Sequence, residues 1–323
     1  MQNAIGQNLL IGLQKESAYN TPNVTNLKGL YVRPNESMTE TVSRADAGNA
    51  RNTKYKMSNE RKALLKSCEG SINGVIPIDG FGWVLNTMFE TSSTDEGGSH
   101  FFLKNTSTDS YTLFMDRDNQ YYTFAGCKPS GLNFDFSGEF PTWELALQGA
   151  DVNDGASVAI PTVATDDNIF SRNEVTMKIG AAGGEADTEI PITGGSLSIA
   201  ETNSDGEDVS YKLGSDSRQR LLAIDVVPTG TFSFVYDKDT AALTQLETDV
   251  AAGTKRSLEF ILTSGSDVQK IRMDNCDLSG YGAAIGDTNL RRVNVDFEAF
   301  SSTSTDAINF TIKDDYATSG YSW

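Results

Sequence analysis

The chain has 323 residues, of which 38% are apolar and 22% are charged. An apolar fraction of this size can supply a buried core, so the composition excludes a disordered chain. The formal net charge of −18 argues against net binding to nucleic acid, because phosphates attract basic surfaces, but it permits a wall that nucleic acid passes without sticking.

Short segments in which apolar and polar residues alternate run along most of the chain. Alternation with a period of two is typical of half-buried antiparallel strands. The segments are residues 121–125, 132–136, 143–147, 195–199, 231–235, 258–262 and 293–297. Because turn residues separate them, the pattern predicts a mainly β fold of the sandwich or barrel type.

Two segments have helical spacing instead. In residues 79–89 apolar side chains recur every three or four positions, and Phe81 and Trp83 are predicted to anchor this helix to a sheet. The same spacing recurs in residues 239–250, where Asp239 holds the position of an N-cap.

The order of these elements is repeated along the chain. A strand, a helix, further strands, a Cys-x-x-Ser-Gly step and a last strand occur once around Cys127 and again around Cys276. The repeat predicts two tandem β domains, residues 1–155 and 156–323, each with one flanking helix. Small and polar residues at 151–167 indicate a linker near the boundary.

A polar segment, residues 39–62, is predicted to be a long loop, and loops of this length are usually functional or disordered. It carries six basic and three acidic residues, whereas its counterpart in the second repeat, residues 201–217, carries five acidic residues and one lysine. We hypothesise that the basic loop docks on acidic surface of a neighbouring subunit or ring. The alternative is that both segments are solvated loops.

The opening sequence from Leu9 to Pro22, Leu-Leu-Ile-Gly-Leu-Gln-Lys-Glu-Ser-Ala-Tyr-Asn-Thr-Pro, resembles the start of major tail tube proteins of long-tailed bacteriophages. That family often has an apolar strand followed by Glu, two residues and Tyr or Phe-Gly-Thr-Pro; here Asn20 replaces the glycine and is also compatible with a turn. Similar features follow in the same order: Gly70-Ser-Ile-Asn-Gly, a Gly-Phe-Gly-Trp-Val-Leu helix start and the strand that begins at Leu132. The resemblance covers residues 1–155, and it extends over 170–300 through the repeat.

The resemblance implies a structural virion protein that polymerises into stacked rings and forms the hollow tail tube for genome delivery. Because related rings contain six copies of the fold, a doubled chain implies trimeric rings with pseudo-sixfold symmetry; hexameric rings are the alternative. Ring closure also has a physical reason, since pairing between subunits removes unpaired sheet edges. The implied partners are further copies of the chain and the tape-measure, tail terminator and distal tail proteins. DNA passes without specific binding, assembly takes place in the host cytoplasm, and neither a cofactor nor a membrane is implied.

Contacts between subunits and rings are expected in the two charged loops and at the C-terminus. The candidate residues are Arg44, Arg51, Lys54, Lys56, Arg61, Glu201, Asp205, Glu207, Asp208, Tyr321 and Trp323. Residues 1–20 and 301–323 are expected to be arms that contribute to these contacts. The candidates for lining the lumen, where carboxylates repel phosphates, are Asp135, Glu144, Asp296 and Glu298.

Two other functional classes stay open. A carbohydrate-binding or adhesin-like β-sandwich would need an exposed aromatic platform and usually a secretion signal, and the sequence shows no such signal. A β-rich glycoside hydrolase would need a specific pair of carboxylates, which 44 acidic residues do not single out. The only histidine, His100, argues against a triad or a multi-histidine metal site. Cys68, Cys127 and Cys276 form no CxxC pair and are predicted to be buried thiols, so no catalytic, cofactor or metal residue is predicted.

Overall fold

A computed structural model confirms the predicted mainly β fold, with two α-helices among the residues it describes. Those residues are 9–46, 61–94, 98–104, 109–117, 120–155, 157–158, 169–204, 210–237, 240–285, 291–302, 306–314, 321 and 323. In the first half, strands β1 to β10 are Leu9–Lys15, Lys28–Leu30, Thr39–Asp46, Arg61–Val75, Phe89–Thr94, Ser99–Lys104, Tyr111–Arg117, Tyr121–Asp135, Thr142–Gly149 and Asp151–Asp154. In the second half, strands β11 to β18 are Val175–Ala181, Ala186–Ile190, Ile192–Asn203, Ala223–Val235, Arg256–Ser264, Asp267–Ile285, Arg291–Ala299 and Asn309–Lys313. Helix α1, Gly82–Met88, precedes β5, and helix α2, Ala241–Ala252, precedes β15.

Eight strands form one continuous antiparallel sheet, which we call the eight-stranded sheet. Its order is β3-β4-β9-β8-β13-β14-β17-β16. The two halves of the chain meet where β8 pairs with β13, with Phe134 opposite Leu197. Backbone hydrogen bonds in the middle of a sheet therefore join the halves.

Two further sheets cover one face of the eight-stranded sheet. Their orders are β2-β1-β7-β8-β10 and β12-β11-β15-β16-β18-β6-β5. β8 and β16 are long strands that take part in both layers. Apolar side chains from alternate positions fill the space between the layers; for example, the ring of Phe260 on β15 lies 6.3 Å from that of Phe297 on β17. Trp143 on β9 is buried in the same core, as predicted.

The order of strand pairing repeats between the halves. The series β3-β4-β9-β8-β7-β1 matches the series β13-β14-β17-β16-β15-β11, with a helix after β4 and another after β14. Two glycines hold matching places, because a Cβ atom on Gly70 would meet the Ser37 carbonyl oxygen and one on Gly230 would meet the Ser196 carbonyl oxygen. The pairing order of these strands is therefore similar in the two halves of the chain.

Both predicted helices are present. All residues of α1 are buried, and Phe81 and Trp83 at its start pack into the core as predicted. The N-cap of α2 is Thr240, whereas the predicted cap, Asp239, lies outside the described residues. The helix ends at Gly253, whose left-handed φ of 64° favours glycine.

The segments predicted as a loop, a linker and arms all contain strands. The described ends of the segment 39–62 belong to β3 and β4, which pair as a hairpin; residues 47–60 lie outside the described residues. Within the predicted linker, β10 pairs with β8. From Leu9 onward the predicted N-terminal arm is β1, paired with β7, and the predicted C-terminal arm contains β18, paired with β16 and β6. These segments complete the sheets of their own chain.

The aromatic C-terminus packs beneath α1. Tyr321 is fully buried, and its hydroxyl donates to Asp314 Oδ2 and accepts from the Gly80 N–H at 3.1 Å. Asn86 of α1 donates its side-chain amide to the Tyr321 carbonyl oxygen. The Trp323 ring lies 5.1 Å from the tryptophan ring of α1. Tyr321, expected at a contact between subunits, is therefore a core residue of its own chain.

The side chains of Cys68 and Cys127 both lie next to Gly149. A Cβ atom on Gly149 of β9 would stand 2.5 Å from Cys68 Sγ on β4 and 3.1 Å from Cys127 Sγ on β8. A hydrogen bond with Cys68, together with burial, raises the pKa of Cys127, and burial raises the pKa of Cys276 to about 12. All three thiols are free and buried, as predicted. Because β9 separates β4 from β8, the Cα atoms of Cys68 and Cys127 are about 10 Å apart, too far for a disulfide without backbone movement.

We expect Gly149→Ala to destabilise the chain by about 1–3 kcal/mol, the typical cost of overpacking a core. The added methyl group would collide with the Cys68 sulfur, and urea unfolding measures the loss. The companion variant Gly149→Ala/Cys68→Ala removes that sulfur and should recover part of the stability. If the double variant is no more stable than Gly149→Ala alone, the strain arises from contacts with the backbone and not from the Cys68 sulfur.

Candidate functional site

The face of the eight-stranded sheet that none of the described strands and helices covers is polar. One row of paired residues presents Asn73, Glu144, Asn133, Ser198, Thr229, Glu298 and Asp277. The next row presents Thr142, Asp135, Ser196, Thr231, Asp296 and Ser279. Each row crosses both halves of the chain, so the halves contribute to a single surface.

The four acidic residues predicted to line a lumen share this face. Glu144 is half-buried, and the other three are exposed. Short side chains between them bond to one another: the Ser196 and Thr231 hydroxyls are 3.1 Å apart, and Ser198 donates to Asn133 Oδ1 at 2.7 Å. The face therefore consists of carboxylates separated by the short polar side chains of Ser, Thr and Asn.

The eight-stranded sheet ends in two open edges. Among the described residues, β3 pairs only with β4, and β16 beyond Cys276 pairs only with β17. The Ser37 N–H donates to the Ser71 carbonyl oxygen at 2.9 Å, so by strand alternation Met38 and Glu40 direct their backbone groups away from β4. Such edges can be completed by a strand from another chain.

The junction of β8 with β13 shows how matching edges pair inside the chain. The Gly195 carbonyl oxygen accepts from the Phe136 N–H at 2.8 Å, and Leu197 lies opposite Phe134. In the repeated pairing order, β3 holds the place of β13, and β16 holds the place of β8. The two open edges are therefore counterparts of two strands that already pair with each other.

Residues predicted for contacts between rings fall in different environments. Arg44 is exposed on β3, whereas Glu201 on β13 is only 8% exposed. Trp323 is half-buried against the core. The side chain of Arg61 and the whole of Arg51, Lys54, Lys56, Asp205, Glu207 and Asp208 lie outside the described residues.

The described end of the acidic segment 201–217 contacts the base of the β3–β4 hairpin. The Lys66 N–H donates to the Asp216 carbonyl oxygen at 2.6 Å, and the Tyr211 hydroxyl donates to the Lys66 carbonyl oxygen at 3.2 Å. The two charged segments are therefore neighbours within one subunit, whereas sequence reasoning considered contact only between subunits or rings.

A buried carboxylate explains the N-terminal sequence motif. Glu16 accepts hydrogen bonds from the Asn20 N–H at 3.0 Å and the Gly126 N–H at 2.9 Å. It also accepts from the hydroxyls of Ser110 at 2.6 Å and Thr112 at 3.0 Å. The carboxylate thus fixes the turn at Asn20, where φ is 58°, and ties it to β7 and β8. Sequence reasoning identified the motif but not the role of Glu16; a lone acidic residue before a turn was the only local signal.

The described residues offer no group of three or more His, Cys, Asp or Glu side chains placed to hold a metal ion. His100 is buried, and its ring lies edge-on to Tyr321 at 5.2 Å, so it belongs to the aromatic core. A helix with the length and apolarity of a membrane span is not found in the part of the chain that the structure describes.

Comparison with known proteins links this architecture to one family. The sequence profile of the phage tail tube protein family matches residues 6–299, a range that includes both helices and all eight strands of the eight-stranded sheet. No curated protein gives a match. The family match supports a structural role in the virion over carbohydrate binding or hydrolysis. The chain therefore belongs to the phage tail tube protein family and is a structural component of the virion.

Proposed function

We propose that copies of this chain pair edge to edge into a closed ring and that stacked rings form the tube for genome delivery. One observation carries this proposal: the open edges of the eight-stranded sheet are the counterparts of β8 and β13, which pair inside the chain. Repeating that junction between chains joins β16 of one copy to β3 of the next. Every junction then stays antiparallel, because each copy contributes an even number of alternating strands.

The junction inside the chain also supplies a register. The matching glycines of β4 and β14, and the Cys-x-x-Ser-Gly steps of β8 and β16, align the two halves residue by residue. In this alignment Met38 corresponds to Leu197, and Ala283 corresponds to Phe134. The pairing of Leu197 with Phe134 therefore becomes Met38 opposite Ala283 of the next copy.

Strand number favours three subunits over six. With strands about 4.8 Å apart, three eight-stranded sheets give a circumference of about 115 Å and a diameter of about 37 Å. Side chains reaching about 5 Å inward on each side leave a hole of about 27 Å, which admits a DNA duplex. Six copies would leave about 63 Å, far wider than a duplex needs. We favour the trimeric ring, in which residues 1–155 and 156–323 are two copies of one duplicated fold.

The polar face of the eight-stranded sheet is proposed to line this hole, because the core covers the opposite face. The carboxylates toward the passing genome are Asp135, Glu144, Asp296 and Glu298. Their repulsion of phosphates acts over about 8–10 Å at moderate salt, so it keeps DNA from adhering to the wall. Arg292 lies on the same face near the start of β17 and lowers the charge there.

Contacts between rings are proposed for the basic residues between β3 and β4. Replacing Arg51, Lys54 and Lys56 with Glu should block tube elongation and leave the subunit folded, as judged by electron microscopy and circular dichroism. Normal tubes from this variant would refute the docking role. Tape-measure, tail terminator and distal tail proteins are the proposed further partners, and the host cytoplasm is the proposed place of assembly.

Cysteine cross-linking tests the ring directly. Thr39→Cys combined with Gly282→Cys puts two thiols at opposed positions of the proposed junction, in the pair type that brings side chains closest. Mild oxidation of polymerised protein should give covalent species that end at the trimer. A series that continues to the hexamer would support the larger ring instead.

Two matched pairs control this experiment. Ser198→Cys with Asn133→Cys occupies the corresponding positions inside the chain and should cross-link in the monomer. Thr39→Cys with Ala284→Cys is out of register and should link poorly. If the internal pair links but the Thr39–Gly282 pair does not, the proposed junction is excluded.

A further inference from the structure

An ion pair covers the open edge of the eight-stranded sheet just before β3. Met38 donates its N–H to Glu36 Oε2 at 3.0 Å, and its carbonyl oxygen accepts from Arg117 Nη2 at 3.2 Å. Arg117 Nη2 lies 2.7 Å from Glu36 Oε2, and the two side chains are 30% and 14% exposed. Side chains of the same chain therefore satisfy both backbone groups that Met38 directs at the open edge.

The second half of the chain has different residues at the matching edge. There β8 occupies the place that the ion pair holds in the first half. The strand registers match Glu36 with Gly195 and Arg117 with Leu262, which is buried. The edge of β13, which pairs with β8, has Gly195 and Leu262 at these positions. The corresponding open edge of β3 has the charged pair Glu36 and Arg117.

Building on the proposed ring, we propose that the Glu36–Arg117 pair is a guard that must open before a second copy of the chain can pair with β3. The proposed junction needs the Met38 N–H and carbonyl oxygen for Ala283 of the next copy, and the guard holds both. Open strand edges promote aggregation, and charged side chains at the edge are a known means of preventing it. The guard keeps single subunits apart until a neighbouring strand replaces its hydrogen bonds.

To test this proposal, Glu36 and Arg117 are replaced by the residues at the matching positions of the second half, glycine and leucine. In the double variant Glu36→Gly/Arg117→Leu, the lag before polymerisation, followed by light scattering at equal protein concentration, should shorten about tenfold, since charged hydrogen bonds no longer have to break. Added salt should shorten the lag of the parent chain more than that of the variant, because only the parent chain has this ion pair to screen. Asp109→Asn is the matched control: it removes the Lys15–Asp109 ion pair, 2.6 Å long, away from this edge, and should leave the lag unchanged.

Amide hydrogen exchange provides a readout without polymerisation. The Met38 N–H should exchange faster in the double variant than in the parent monomer. If the double variant does not fold, Glu36→Gln takes its place. This variant removes the charge but keeps an acceptor for the Met38 N–H, so the expected result is a shorter lag and not faster exchange. A lag that is unchanged or longer would overturn the guard. A parent chain that never polymerises, or that links only out of register, would overturn the ring itself.

Discussion

Glu40→Pro will give a folded subunit that forms no rings at concentrations at which the parent chain polymerises. The Glu40 N–H points to the open side of β3, so proline takes no hydrogen bond from the pairing with β4. It removes a donor from the proposed junction, and proline is tolerated on an edge strand when its N–H side faces solvent. Because a closed ring repeats the junction at every subunit, the loss also repeats.

Matched variants separate this effect from others at the same place. Glu40→Ala keeps the N–H and should polymerise like the parent chain. Thr39→Pro loses an N–H that points at β4 and should destabilise the monomer. Sedimentation velocity measures assembly and circular dichroism measures folding. Rings formed by Glu40→Pro would show that β3 is not a junction strand.

Ending the chain at Ser302 will prevent folding. If residues 301–323 were an arm, as the sequence predicts, the truncation would impair assembly more than solubility. The truncation removes Phe310 and Ile312, which are buried on β18, and removes Tyr321 from beneath α1. It also removes the strand between β16 and β6, so two sheet regions lose their connection. Each large buried side chain contributes about 3–5 kcal/mol. A typical domain is stable by only about 5–15 kcal/mol, so the combined loss is too large to survive.

Single substitutions at Tyr321 separate the contributions to this loss of stability, which thermal or urea unfolding measures. Tyr321→Ala should cost about 3–5 kcal/mol, the range for deleting a buried aromatic ring. Tyr321→Phe removes only the hydroxyl that joins Asp314 to Gly80, and should cost about 1–3 kcal/mol because it leaves buried polar groups without that partner. A chain truncated at Ser302 that folds but fails to assemble would restore the arm interpretation.

Local features of the fold were predictable because their signals are local. Alternation along residues 293–297 reports a half-buried strand whatever its neighbours are, and the apolar spacing in residues 79–89 reports a helix. The grouping of Asp135 with Glu144, and of Asp296 with Glu298, follows from the same rule, since polar positions that alternate with a buried face share the other face.

Long-range pairing was beyond the sequence pattern. An amphipathic strand does not specify its partner, so nothing in β8 or β13 showed that these two strands join the halves. An aromatic residue such as Tyr321 has the same local sequence whether it packs on its own chain or on a neighbour. The contact between Cys68 and Cys127 likewise depends on a third strand that brings Gly149 between them.

The sharing of β8 and β16 between layers has a mechanical consequence for the proposed tube. Widening the central hole would have to bend β8 and β16, because part of each strand is hydrogen-bonded in the sheets of the outer layer. Pressure inside the tube and torsion applied to its outer surface would therefore both act on the backbones of β8 and β16. The inner and outer layers would deform together and would not slide past each other.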